Sequence, residues 1–259
     1  MLPFIIGIQV FAIVFARIMG LMSSTTLWGS NLILVRFRML LSFLITLLLF
    51  PMVREKYAAL FPVEWEMFWF MILVNLMIGL LFGFMISMFF SIFQVAGQFL
   101  SFQIGFSMSQ VLDPISQEEI PVLGQTLALL ALVVFIALNG HLISVEILYK
   151  SFFKVPLGDF FQKEYGLVMD KAVEAFSFMF SASLRFSIVI IGSILIATLF
   201  VGLLAKASPQ INAMIFGFPL YIAIGFLLLS FLAVNMVNFS SNYIQGFFSK
   251  LFQMVTHLK

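Results

Sequence analysis

Residues 67–112 read MFWFMILVNLMIGLLFGFMISMFFSIFQVAGQFLSFQIGFSMSQVL and contain no Asp, Glu, Lys or Arg. A single helix of that length would run about 70 Å at 1.5 Å per residue, whereas the hydrocarbon core of a bilayer is about 30 Å thick. The stretch is therefore expected to bend, break or leave the bilayer, with Gly79, Gly83, Gly97 and Gly105 as the places. The rest of the chain agrees with a membrane setting. It is 63% hydrophobic and 9% charged, against about 45–50% and about 25% in soluble domains. With mean hydropathy +1.18, so few charges could not keep the chain in water, which excludes the ordinary soluble enzyme. A net charge of +2 with no basic run gives no footing for nucleic acid. Cysteine is absent, so neither a disulfide framework nor a thiolate metal site is expected. The first ionisable side chain is Arg17, so no basic leader of a cleavable signal peptide is expected.

Outward from the central run, charge-free segments mark further helices. Residues 3–22 form an apolar helix interrupted by Arg17. Residues 39–53 form a shorter run, closed by Pro51 and Arg54-Glu55-Lys56. The acidic loop Asp113-Pro114-Ile115-Ser116-Gln117-Glu118-Glu119-Ile120 follows the central run, and Pro114 disfavours helix at Asp113. A helix is expected over 121–147, and the turn Pro156-Leu157-Gly158 lies in the charged region beyond it. Met169, Val173, Phe176, Phe180 and Leu184 share a stripe at helical spacing, an amphipathic helix, before a clean span at 186–205. Lys206-Ala207-Ser208-Pro209-Gln210 reads as a tight loop, 211–235 as another span, and 244–258 as a second amphipathic segment. The expectation is six spans in one all-α, polytopic integral membrane protein, a single unit over residues 1–259.

Nothing in this pattern supports catalysis. There is no His-Glu-x-x-His, no Gly-x-Ser-x-Gly and no phosphate-cradling loop. Glu118-Glu119 reads as a solvated loop. Arg17, His141 and Arg185 are the ionisable groups within or at the edge of apolar runs, and none has an obvious acidic partner within a neighbouring turn. A secondary transporter would place Asp, Glu or His inside the bundle, so transporter and intramembrane enzyme are the weaker readings. An Arg at bilayer depth costs at least about 2.5–3.5 kcal/mol on insertion scales, so Arg17 is expected to face protein or water, or to snorkel. No cofactor or metal is expected. Between Gly97 and Asp113 the chain mixes Gly, Ser, Gln, Met and Phe. Irregular backbone at membrane depth survives only when buried in protein or lining water. A re-entrant or pore-facing segment therefore stands beside the alternative of a polar-flecked helix packed on its neighbours.

Three stretches carry a family resemblance. The first runs from Ala96-Gly97-Gln98 through Gln103-Ile104-Gly105-Phe106-Ser107 to Asp113-Pro114. The second is Asn139-Gly140-His141-Leu142 with Ser151-Phe152 and Pro156-Leu157-Gly158. The third is Ala207-Ser208-Pro209-Gln210-Ile211-Asn212 with Gly217-Phe218-Pro219-Leu220. Together with Arg17, in this order and over nearly the whole chain, they resemble the FliR/SctT family of type III export subunits. Gly217-Phe218-Pro219 favours the flagellar branch over the virulence-secretion (SctT-like) branch.

The resemblance implies helical hairpins packed in an export-gate assembly that passes unfolded flagellar proteins as transit cargo. It implies FliP-like and FliQ-like subunits as partners, with FlhB-like and FlhA-like subunits nearby. It implies the bacterial inner (cytoplasmic) membrane and the flagellar basal body as the location, and no catalytic role. Residues of about 1–185 would match a FliP-like part and about 186–259 a FliQ-like part. A pore plug would match Gly105, Phe106, Ser107, Met108, Ser109, Gln110, Asp113 and Pro114. Assembly or gate contacts would match Arg17, Gln98, Gln103, Asn139, His141, Pro209, Gln210, Gly217, Phe218 and Pro219.

Overall fold

In the computed structural model of the chain, the residues described are 2–29, 33–57, 61, 64–105, 122–154, 165–208, 210, 212, 215–231, 243 and 246. Among them there is helix and no strand. In chain order the helices are α1 (Leu2–Ser24), α2 (Thr26–Gly29), α3 (Val35–Tyr57), α4 (Trp65–Ile104), α5 (Val122–Ala137), α6 (Gly140–Lys154) and α7 (Tyr165–Ala207), followed by α8 (Ile215–Phe231). An all-helical membrane architecture follows from the composition. With no water in the hydrocarbon, backbone polar groups must pair within their own segment. The hydroxyls of the apolar helices follow the same rule: Ser42 donates to Arg38 O (2.8 Å), Thr46 to Ser42 O (2.7 Å) and Ser187 to Ser183 O (2.7 Å).

Among the described residues, four helices are long and apolar enough to cross a membrane: Phe4–Ser24, Val35–Glu55, Trp65–Ile104 and Phe176–Ala207. The count becomes five if Leu123–Ala137 and Gly140–Phe153 form one broken span. Of the span expected over 211–235, the helix Ile215–Phe231 is described, and residues 211, 213, 214 and 232–235 lie outside the described residues.

Of the four glycines expected as places to bend or break, the helix ends at one, Gly105. Helix α4 is unbroken for 40 residues through Gly79, Gly83 and Gly97 and stops at Gly105, which adopts φ 91°. It is about 60 Å long, so it cannot lie wholly within the hydrocarbon. Its most apolar window is 61% buried by the chain itself, against 11% for α3 and 17% for Phe176–Ala207. Helix α4 is thus the most buried of these spans, and α3 and α7 leave large apolar side chains exposed. Two more boundaries moved. The helix expected over 121–147 is split at Leu138-Asn139, where Asn139 takes φ 57°; asparagine tolerates the left-handed region better than most residues. The amphipathic segment and the clean span after it form a single helix, α7, which runs without interruption through residue 185.

The chain divides into two compact units. The first comprises residues 1–88, 139–175 and 245–259. Here α1 packs on α4 through glycine. A Cβ on Gly79 would collide with the carbonyl oxygen of Arg17, and one on Gly83 would lie 2.5 Å from Leu21 O. Gly79-x-x-x-Gly83 on α4 faces Gly20-x-x-x-Ser24 on α1, the small-residue spacing that lets membrane helices approach closely. Ser24 Oγ donates to Leu80 O (2.9 Å) and Ser87 Oγ to Ser24 O (2.7 Å). The second unit comprises residues 89–138 and 176–244. Gly97 meets Gly124 backbone to backbone. Phenylalanine fills the interior, where Phe90 lies 5.1 Å from Phe135 and Phe93 5.5 Å from Phe186 between ring centroids.

Candidate functional site

Two places in the described structure gather the residues that the sequence singles out. The first is a junction of α1, α4 and α6 around Arg17, whose side chain is 0% exposed. Its Nε and Nη2 donate to Asn75 Oδ1 at 2.9 and 2.6 Å, and its Nη1 donates to Ser151 Oγ at 3.3 Å. The guanidinium carbon lies 4.5 Å from the centroid of Phe152, a cation–π distance. The acceptors are held in turn. Asn75 Nδ2 donates to Met71 O (2.7 Å) and Ser151 Oγ to Leu148 O (2.6 Å). The Asn75 side chain is thereby oriented with its oxygen towards Arg17. Buried charge is tolerable only when its donors are satisfied, and this junction supplies an amide, a hydroxyl and a ring face. The arrangement ties α1, α4 and α6 together.

The second place is the C-terminal end of α4. Gly105 ends the helix, and its N–H donates to Phe102 O at 3.3 Å. The Phe218 ring of α8 covers it. A Cβ on Gly105 would lie 2.7 Å from both Phe218 Cδ1 and Cε1. One residue earlier on α4, Ile104 meets Gly225 of α8. Gly217 is buried, Phe218 half-buried and Pro219 exposed. Gln98 and Gln103 are half-buried on α4.

The remaining residues are dispersed. Asn139 is exposed at the break between α5 and α6. His141 follows in the first turn of α6, half-buried, and its Nδ1 is buried with no hydrogen-bond partner among the described residues. Gln210 is exposed in a turn after α7. Phe106, Ser107, Met108, Ser109, Gln110, Asp113, Pro114 and Pro209 lie outside the described residues. Among those described, no three His, Asp or Glu side chains converge. Sequence reading passed over Asn75 and Ser151 as partners of Arg17. The available signal was a lone Asn in a charge-free apolar helix.

The family profile described as "Bacterial export proteins, family 1" matches residues 8–247. The chain belongs to this family of bacterial export proteins. Relatives agree with it. The chain is 30% identical over 140 residues to "Flagellar biosynthetic protein FliR" of Bacillus subtilis, covering 52% of this chain and 53% of that one. It is 29% identical over 166 residues to the protein of the same name from Escherichia coli, covering 64% and 62%. The match to its namesake in Pectobacterium carotovorum is longer, 25% identical over 244 residues, with 94% and 92% covered. The first two alignments thus span between half and two thirds of those export proteins. The profile match takes in both the Arg17 junction and the Gly105–Phe218 contact.

Proposed function

We propose that the chain is a non-catalytic subunit of the flagellar type III protein-export gate, seated in the bacterial inner membrane at the flagellar basal body. The observation that carries this reading is the profile match over residues 8–247, with relatives named for flagellar biosynthesis. The fold is compatible with it. The outward apolar faces of α3, α7 and α8 suit a subunit that packs into lipid or into partners, and Leu48, Ile196 and Phe216 are examples of large exposed side chains. In this reading FliP-like and FliQ-like subunits pack beside the chain, with FlhB-like and FlhA-like subunits adjoining. Its residues of about 1–185 act as the FliP-like part and about 186–259 as the FliQ-like part. The stretch from Gly105 to Pro114 seals the channel through which unfolded flagellar proteins pass. Arg17 contributes by holding α1, α4 and α6 together.

The test is expression in a bacterium lacking its own flagellar export protein of this family, with motility and secreted flagellin as readouts. Co-expression with FliP-like and FliQ-like subunits, then purification in mild detergent, is the second arm. Restored secretion and a co-purifying complex are expected. A monodisperse chain that ignores both subunits and moves a small solute by itself would make it a transporter instead.

A further inference from the structure

Helices α1 and α3 run side by side in the first unit, joined by Phe11 stacking edge-on against Phe43 and Phe50 at 5.4 and 5.6 Å. Beside this contact lies an open groove of about 520 Å³, lined by Phe4, Gly7, Ile8, Phe11, Phe50 and Arg54. Five of the six lining residues are apolar, and a Cβ on Gly7 would lie 3.9 Å from the Phe50 ring. Arg54 supplies a cation at the rim, its guanidinium carbon 5.9 Å from the Phe50 ring centroid. The volume falls in the range of small-molecule sites, about 300–1,000 Å³.

The depth of the groove says what occupies it. Arg54 follows the apolar stretch of α3 and opens the Arg54-Glu55-Lys56 cluster, where the helix leaves the hydrocarbon. The next helix begins a few residues later with exposed Trp65 and Trp69. Interfacial tryptophan marks headgroup level, and sequence contiguity puts both features on one side of the membrane. An apolar trough with a cation at headgroup level is complementary to an amphiphile with an acyl chain and an anionic head. We propose that the α1–α3 groove is a binding site for one anionic phospholipid of the surrounding membrane. An acyl chain lies over Gly7, Ile8 and Phe11, and the phosphate sits on Arg54.

The test uses the full chain co-expressed with its gate subunits and reconstituted into nanodiscs. The probe is phosphatidylglycerol with a photoreactive diazirine on one acyl chain, compared with the phosphatidylcholine analogue. Crosslinked peptides of this chain are mapped by mass spectrometry. Labelling of residues 4–11 and 47–54 is expected to exceed that of the exposed α3 face around Leu40 and Leu44 several-fold, with phosphatidylglycerol favoured. Arg54→Gln should remove that preference, and Gly7→Phe should fill the groove and remove the local labelling with both probes. Arg36→Gln, which deletes an exposed cation at the other end of α3, should leave the pattern unchanged. Even labelling along α3, equal labelling by the two lipids, or an Arg54→Gln pattern like wild type would overturn the proposal. So would crosslinks from the groove to a neighbouring subunit in place of lipid.

Discussion

Gly79 on α4 lies so close to the Arg17 carbonyl on α1 that no Cβ fits between them, and Asn75, one turn earlier on α4, receives the Arg17 side chain. The two contacts depend on each other. Close backbone approach at Gly79 brings the guanidinium within reach of Asn75, and the hydrogen bonds then hold the helices at that spacing. Gly79→Ala is therefore expected to destabilise the protein by about 1–3 kcal/mol, the usual cost of overpacking. Gly202→Ala is the control. Gly202 has nothing within 4 Å of a Cβ, and alanine is the better helix former by about 0.5–1 kcal/mol, so that variant should melt no lower than wild type. Thermal melts of the detergent-purified protein decide this; equal melting of both variants would show that α1 and α4 can separate freely.

Removing the acceptor tests the junction from the other side. Asn75→Leu leaves two buried Arg17 donors without the oxygen that receives them. A hydrogen bond to a charged group contributes about 1.5–3 kcal/mol, so a loss of at least about 2 kcal/mol is expected. Asn75→Asp keeps an oxygen in place and adds a countercharge, and it should retain most of the stability. Membrane protein level and melting temperature are the measurements. A leucine variant as stable as wild type would mean that Arg17 finds other acceptors at no cost.

The fold class was legible because the long apolar runs of α1, α3, α4 and α7 favour a membrane helix, which pairs the backbone within its own segment. What glycine does in those runs was harder to read. Gly79 and Gly83 were expected as places to bend, yet their four-residue spacing in an apolar helix is a packing signature, and α4 passes through them unbroken. The choice turns on whether another backbone lies opposite, which is tertiary information. The break at Asn139 had a local cue, since Asn-Gly favours a left-handed turn, but the apolar residues on either side outweighed it. The partners of Arg17 lie 58 and 134 residues away, beyond any periodicity. Of the candidate site, Arg17, Gly105 and Phe218 were picked out individually, but neither of their contacts was foreseen.

His141 carries a buried Nδ1 with no partner among the described residues. An unsatisfied buried polar atom costs about 1–3 kcal/mol, and leucine at this position would remove the atom while keeping most of the side-chain volume. His141→Leu is expected to melt at or above the wild-type temperature in the purified protein. A drop of several degrees would show that Nδ1 is hydrogen-bonded after all, and the position would then count as a structural histidine.

The Gly105–Phe218 contact permits a double-mutant cycle, because two separate penalties meet at one residue. Gly105 has φ 91°, where a Cβ costs roughly 1–2 kcal/mol by backbone strain alone, and the Phe218 ring occupies the space that the Cβ would need. Phe218→Ala removes the second penalty and leaves the first. Gly105→Ala should therefore be more damaging in the wild-type background than in the Phe218→Ala background. The coupling should be at least about 0.5 kcal/mol, the lower end for residues in contact. Melting of the four proteins gives the stability cycle, and export of flagellin gives a functional one. Strict additivity would mean that α8 moves away from the end of α4 without cost, and that Phe218 does not hold the chain where α4 ends.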